Sequence, residues 1–379
     1  MNYSTTSVTA SGKTKSKRGH ETIMKLFVMT MYLLLAPLVI GIRADDADQE
    51  AKGLRDTLGA QMVSIGTAAE PNPIRTDPMY AEILARDFNM LATENAFKMG
   101  LMRPTEDSYR FEDTDFLVDF AEMNGMDVRG HTLIWHQQLP DWLSNGTYTR
   151  EELLTIMEEH VTTVVSRYRG RVDAWDVVNE AVEGDGSLRQ SIFLQTIGPE
   201  YIEYAFRWAA AADPEARLFY NDFGADGLGV KSEGVYRLME SLLAKRVPVH
   251  GIGLQMHTTI GDTPDPEDVR RNMDRLAQLG LEIHVTEMDV RLNDEMGDLD
   301  TQLQLQAQTY RSIAEVCIQH PACTAFVTWG FSDSNYARAG RPDTPLLFDA
   351  NYVPKPAYWA LADLFASPVL MQCSGQPCR

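Results

Sequence analysis

The sequence predicts an α/β fold, a single catalytic domain of the (β/α)8 TIM-barrel type, and three observations predict it. From about residue 50, strand-like and helix-like segments alternate with no long linker. Eight segments read as strands, and polar or aromatic residues of one kind gather where they end. No G-x-G-x-x-G or Walker sequence follows an early strand, as an open doubly wound sheet would want. Such alternation means parallel strands joined by crossover helices.

The strands, in order, are 62–67, 90–94, 127–132, 172–178, 217–221, 249–255, 282–286 and 324–329. Each is a short run rich in apolar residues, the pattern of a strand buried on both faces. Between them, helical spacing predicts helices over 116–123, 151–168, 201–212, 232–245, 266–279 and 301–319, with a last one over 356–365. Most strand starts lie 30 to 45 residues apart, room for one βα unit and a functional loop.

The strand ends carry the chemistry. The fourth strand runs Trp175-Asp176-Val177-Val178 and stops at Asn179-Glu180; the seventh stops at Thr286-Glu287-Met288-Asp289, 107 residues after Glu180. A carboxylate at the C-terminal end of a parallel strand has no place in a core, and in a TIM barrel that end is the catalytic face. Glu94, Asn95 and Lys98 follow the second strand; His131, Trp135, His136 and Gln138 follow the third. Asn221-Asp222 ends the fifth, Gln255-Met256-His257 the sixth, and Trp329 the eighth. Amides, imidazoles and an amine match sugar hydroxyls, and indoles stack on the apolar faces of sugar rings. Two carboxylates facing one cleft are the minimum equipment for cleaving a glycosidic bond. No metal is expected, because His131, His257, Glu180 and Glu287 lack a close ligand spacing such as His-x-x-x-His, and no cofactor is expected.

Bulk composition narrows the partners. Net charge is −20, and the first 44 residues carry six Lys or Arg against Glu21 alone, leaving the remainder near −25. Such a surface repels phosphate backbones and argues against nucleic-acid binding. Residues 1–44 read as an N-terminal extension with a signal peptide: Lys25, then the uncharged run Leu26–Ile42 interrupted by Pro37, then Ala44 as a cleavage residue. The run is just short of a membrane span, so an anchor is the competing reading. Residues 45–367 make the barrel domain and 368–379 a short tail. The expected product is secreted, monomeric and without stable membrane association. Four cysteines in an exported chain suggest two short-loop disulfides, Cys317 with Cys323 and Cys373 with Cys378. Asn145-Gly146-Thr147 is a glycosylation sequon.

From about Leu54 to Phe365 the chain resembles glycoside hydrolase family 10, the endo-β-1,4-xylanases. The residues that carry the resemblance are Gly66-Thr67-Ala68, Thr93-Glu94-Asn95 with Lys98, and the run from Arg129-Gly130-His131 to Gln138-Leu139-Pro140. Trp175 to Glu180, Gln255-Met256-His257, Thr286 to Asp289 and Trp329-Gly330 complete it. The family often has a disulfide where Cys317 and Cys323 stand. The resemblance implies xylan or xylo-oligosaccharide as substrate and a retaining mechanism, with Glu180 as general acid/base and Glu287 as nucleophile, their carboxyl groups about 5–5.5 Å apart. It implies that His257 lies between Glu287 and Asp289, and that Asn179 holds the sugar 2-hydroxyl. His131, Lys98 and Trp329 would line that subsite, with Gln255 nearby. Glu94, Asn95 and Gln138 would reach the next sugar on the non-reducing side, and Trp135 would pack beneath the cleft.

Three departures from the family pattern stand out. Met99 follows Lys98 where the family often has Trp; Phe223-Gly224 replaces Tyr-Asn after Asn221-Asp222; and the loop after Trp329-Gly330 offers Tyr336 where a second Trp is usual. They bear on the product side of the cleft. A β-1,4-glucan or cello-oligosaccharide hydrolase is the nearest rival reading, since the same carboxylate plan serves other β-linked sugars. A non-catalytic binding decoy is the other, and the presence of both carboxylates disfavours it.

Overall fold

The computed structural model describes residues 52–57, 59–334 and 344–367. Ten strands occur among them: β1 Ser64–Ala69, β2 Met90–Thr93, β3 Asp127–Gly130, β4 Ile134–Trp135 and β5 Ala174–Asn179, then β6 Arg217–Asp222, β7 Gly251–Leu254, β8 His257–Thr259, β9 Glu282–Arg291 and β10 Cys323–Thr328. Eight form a closed parallel barrel in the order β1-β2-β3-β5-β6-β7-β9-β10, and β10 pairs back onto β1 through Ser64↔Ala325 to Thr67↔Thr328. The expected TIM barrel is what forms. The other two strands are short additions, β4 on β5 and β8 on β9.

Where the strands differ from expectation, local geometry explains it. The sixth expected strand stops at Leu254, because Met256 adopts φ 63° and breaks the ladder before β8 resumes it. β1 runs two residues further than expected, to Ala69. Helices Pro71–Thr76 and Pro78–Asp87 were not expected from a stretch with three prolines. Proline is tolerated in a first helical turn, where its missing N–H costs nothing, and Asp77 caps the second helix by accepting from the Tyr80 amide at 3.3 Å. Helix Arg150–Arg167 begins at a capping box of Thr149 and Glu152.

Two register shifts position the catalytic face. Asp176↔Phe219 and Val178↔Tyr220 place two steps of β5 against one of β6. Phe326↔Val285 and Thr328↔Met288 place three steps of β9 against two of β10. An extra residue flips the side-chain alternation of its strand. Asp176 and Asn179 therefore both face inward, as do His284 and Glu287, although an uninterrupted strand would send one of each pair outward. Glycine makes room in β7: a Cβ on Gly253 would lie 2.1 Å from Asn221 Oδ1, and one on Gly251 would lie 2.3 Å from the Phe219 ring.

Trp175 is fully buried, with Phe97 edge-on at 4.9 Å. Burial of so large an apolar ring contributes about 1.5–3 kcal/mol or more. The Cys317–Cys323 disulfide forms, tying helix Leu299–Gln319 to β10. Cys373 and Cys378, the extension 1–44 with its Leu26–Ile42 run, and Tyr336 lie outside the described residues. No helix among the described residues is long and apolar enough to cross a membrane.

Candidate active site

Glu180 follows β5 directly and takes φ 56°, a left-handed conformation that a residue with a Cβ adopts at a cost. Two backbone bonds fix it there: its amide donates to the Asn221 carbonyl at 2.8 Å, and its carbonyl accepts from Arg189 Nε at 2.8 Å. Its carboxylate is buried, 8% exposed for the residue, and accepts from three side chains. Trp135 Nε1 reaches Oε2 at 2.8 Å; Gln255 Nε2 and Asn179 Nδ2 reach Oε1 at 3.1 and 3.2 Å.

Glu287 sits within β9 at 4% exposure. Asn221 Nδ2 donates to Oε1 at 2.6 Å, and His257 Nε2 lies 3.2 Å from Oε2. The same Asn221 amide donates to Asn179 Oδ1 at 2.9 Å, and Gln255 Nε2 reaches that oxygen at 3.2 Å. Asn179, Asn221 and Gln255 thus form one amide cluster that bridges the two carboxylates. Thr286 Oγ1 donates to Asn221 Oδ1 at 2.7 Å and fixes which way that amide points.

His257 is held between two carboxylates: Nε2 faces Glu287, and Nδ1 lies 3.0 Å from Asp289 Oδ2. Both nitrogens face acceptors, so the ring is an imidazolium. Burial alone would lower its pKa, but the bonds to Asp289 and Glu287 raise it to about 10. Burial would likewise raise Glu287, but the nearby His131 and His257 hold its carboxyl below the ordinary carboxylate range. Glu287 is therefore kept ionised.

A test of this pairing is His257→Gln, which keeps a donor but removes the charge. The acid limb of kcat/KM should move to higher pH as Glu287 loses its cation; an unmoved limb would contradict the pairing. His257 is raised in the folded state, so its stabilisation is complete below about pH 6.5 and fades as pH rises through about 10. The melting-temperature gap between wild type and His257→Gln should narrow over that window.

The remaining expected residues spread along the cleft. Lys98 Nζ donates to Asn95 Oδ1 at 2.7 Å and lies 4.8 Å from the Trp135 ring and 5.9 Å from the Trp329 ring. Burial lowers its pKa, against the opposing charges of Glu287 and Glu94. Trp329 stands edge-on to His131 at 5.0 Å and to His257 at 6.2 Å. Glu94, at the end of β2, is near enough to Lys98 to act on its charge. Gln138 is exposed, at φ 46°, with its carbonyl accepting from Gly100 at 2.8 Å.

Asp222 turns away from this set. It accepts from the Phe223 amide at 2.9 Å and pairs with Lys231 at 2.8 Å, fixing the loop beyond β6. Among the described residues no group of three or more His, Cys, Asp or Glu could hold a metal ion.

Four residues to which the sequence assigned no individual role belong to the site. Asn221 holds Glu287, and its place beside Asp222 at a strand end was the signal for it. Asp176 lies beneath His131, with His131 Nδ1 2.9 Å from Oδ2. Arg129 pairs with Asp176 through Nε at 3.0 Å and through a shorter contact from Nη2. Glu70 accepts from Asn95 Nδ2, and burial raises its pKa.

Comparison with known proteins agrees with this fold. The model of glycosyl hydrolase family 10 matches residues 53–364. An endo-1,4-beta-xylanase B of Thermotoga neapolitana is 44% identical over 313 residues, 80% of this chain and 88% of that one. The crystal structure of xylanase 10B from Thermotoga petrophila in complex with xylobiose superposes with a TM-score of 0.79 at 44% identity, covering 83% of this chain and 97% of that one. Exoglucanase XynX of Acetivibrio thermocellus is 40% identical over 79% of this chain, which spans 28% of that protein. The chain spans less than half the length of several of the curated relatives it matches. With a matching barrel, a relative 44% identical over most of both chains and a family model that covers residues 53–364, the chain belongs to glycosyl hydrolase family 10.

Proposed function

We propose that the protein is a secreted endo-β-1,4-xylanase that cleaves internal bonds of xylan by retaining double displacement. The single observation that carries the reading is the pair Glu180 and Glu287, buried after β5 and within β9, on strands that β6 and β7 separate in the barrel, and joined by one amide cluster. Their surroundings differ, which divides the roles. Glu287 lies against an imidazolium and is held ionised. Glu180 has neutral donors only, an indole and two amides, and no cation bonded to its carboxyl oxygens.

In the first step Glu287 attacks the anomeric carbon and Glu180 gives its proton to the departing glycosidic oxygen. The carbon–oxygen bond to the leaving sugar breaks as the ester to Glu287 forms. In the second step Glu180 takes a proton from water, the hydroxide attacks the same carbon, and the ester opens. In this mechanism Asn179 donates to the sugar 2-hydroxyl, a contact that strengthens in an oxocarbenium-like transition state. Trp329, Trp135 and Lys98 bound the same ring. The names of relatives support xylan as substrate, and xylobiose occupies a structural neighbour.

On the leaving-group side Phe223 stands 40% exposed, with Lys231 Nζ 3.4 Å from its ring centroid. That side offers a ring face without the phenol and amide usual there. Secretion follows from the Leu26–Ile42 run and Ala44, with a mature chain beginning near Asp45.

Initial rates on xylan and on carboxymethylcellulose test the reading. Xylan should be strongly preferred; preference for the cellulose derivative would favour the glucanase activity that one relative's name carries. N-terminal sequencing of exported protein tests the leader.

A further inference from the structure

A chain of polar contacts continues below the site, down the barrel interior. Asp176 Oδ2 accepts from His131 above and from Arg129 Nε below, at 2.9 and 3.0 Å. Arg129 Nη1 lies 2.7 Å from His284 Nδ1. On the far side of the ring, His284 Nε2 lies 3.0 Å from Thr324 Oγ1 and 3.2 Å from Glu282 Oε1. Glu282 in turn pairs with Arg217 at 2.7 Å, and Arg217 is partly exposed. Phe219 closes one side, its ring 4.2 Å from His284 and 4.8 Å from the Arg129 guanidinium carbon.

The proton positions in this chain follow from what each group can do. A guanidinium has no acceptor, so His284 Nδ1 must carry the lone pair and Nε2 the proton. His284 is therefore neutral, wholly buried, and oriented by its Nε2–H toward Thr324 and Glu282. Arg129, 1% exposed, has three of its N–H groups engaged: two on Asp176 and one on His284. Those three bonds leave the guanidinium one orientation. That orientation sets Asp176, and Asp176 sets the tilt of His131, whose Nδ1 is 3.8 Å from Glu287 Oε1. The bulge in β9 is what brings His284 and Glu287 of one strand onto the same inner face.

We propose that His284 is a positioning residue for the reaction: by accepting from Arg129 it holds the Arg129–Asp176–His131 chain in the register that seats the sugar beside Glu287. Nothing in the chain touches substrate below His131, so the effect reaches the chemistry through geometry. The inference rests on the glycosidase reading of the site above. A shift of His131 of the order of an ångström would lower kcat about tenfold to a hundredfold with little change in KM.

The test compares two polar replacements that differ in where they put an acceptor. In His284→Asn the carbonyl oxygen takes the Nδ1 position and can accept from Arg129. In His284→Gln the amide lies further out, its nitrogen donating to Glu282 in place of Nε2, and Arg129 Nη1 is left without its partner. Both variants and the parent are assayed on xylan, with folding checked by near-ultraviolet circular dichroism and melting temperature. His284→Asn should keep kcat within about threefold of the parent, and His284→Gln should lose about tenfold or more at nearly constant KM. Equal kcat values for the two folded variants, or a loss carried by KM, would overturn the proposal. An inactive parent would instead overturn the functional reading, so the two failures are distinct.

Discussion

Glu287→Ala is expected to be inert on xylan and on activated aryl xylobiosides alike. In the proposed mechanism the carboxylate it removes forms the covalent bond to the anomeric carbon, and no neighbour can substitute: His257 is an imidazolium, and Asn221 offers an amide nitrogen. Losses on removing a covalent nucleophile are on the order of 10⁵–10⁶-fold. Glu180→Ala should behave differently. Its carboxyl supplies a proton and later removes one, so hydrolysis of xylan, whose leaving group is poor, should fall roughly 10²–10⁴-fold. An aryl xylobioside with a good leaving group needs no proton, and its first step should largely survive. The intermediate should then accumulate for want of a base, and azide should attack it and give the β-glycosyl azide. Equal loss on both substrates without azide rescue, together with aryl activity in Glu287→Ala, would reverse the two roles. An α-linked azide product would remove the double displacement.

Asp176→Ala is the second change with a large expected effect, on stability as well as rate. Asp176 and Arg129 are each 1% exposed and are paired only within the barrel. Removing one member strands the other charge in the interior, which costs about 3–5 kcal/mol. That is a large part of a typical stability of about 5–15 kcal/mol. Burial alone would raise the Asp176 pKa, but Arg129 and His131 hold it below the ordinary range. A depressed carboxylate stabilises the fold above its unfolded pKa of about 3.9, and that contribution is lost as pH falls through the folded value. Urea unfolding of Asp176→Ala at pH 7 should therefore show a deficit near the stated size, shrinking in acid. A variant as stable as the parent at pH 7 would show that the pair contributes nothing net.

Much of the fold was legible because buried parallel strands and amphipathic helices have different periods. The helix at 356–365 was placed to the residue, and the expected strands overlie the eight that close the barrel. Glu180 and Glu287 stood out as carboxylates where apolar runs stop. What stayed hidden depends on partners distant in sequence. The bulges in β5 and β9 cannot be read from either strand alone, since they are mismatches of pairing. Without them, Asp176 and His284 sit on the wrong face, so the interior chain below His131 had no sequence signal. Glu70 was missed because the first strand was expected to stop at Thr67, three residues short of it. Trp135 was expected to pack beneath the cleft; its indole N–H bond to Glu180 needed the left-handed turn at that residue.

The most direct measurement is to inactivate the protein with an activated aryl 2-deoxy-2-fluoro-β-xylobioside and map the label by peptide mass spectrometry. The fluorine slows both steps and the good leaving group rescues only the first, so a glycosyl-enzyme should accumulate. One fluoroxylobiosyl group should be found, on Glu287 in the peptide that includes Thr286 to Asp289. A label on Glu180, or no covalent adduct after complete incubation with a protein that is active on xylan, would contradict double displacement through Glu287.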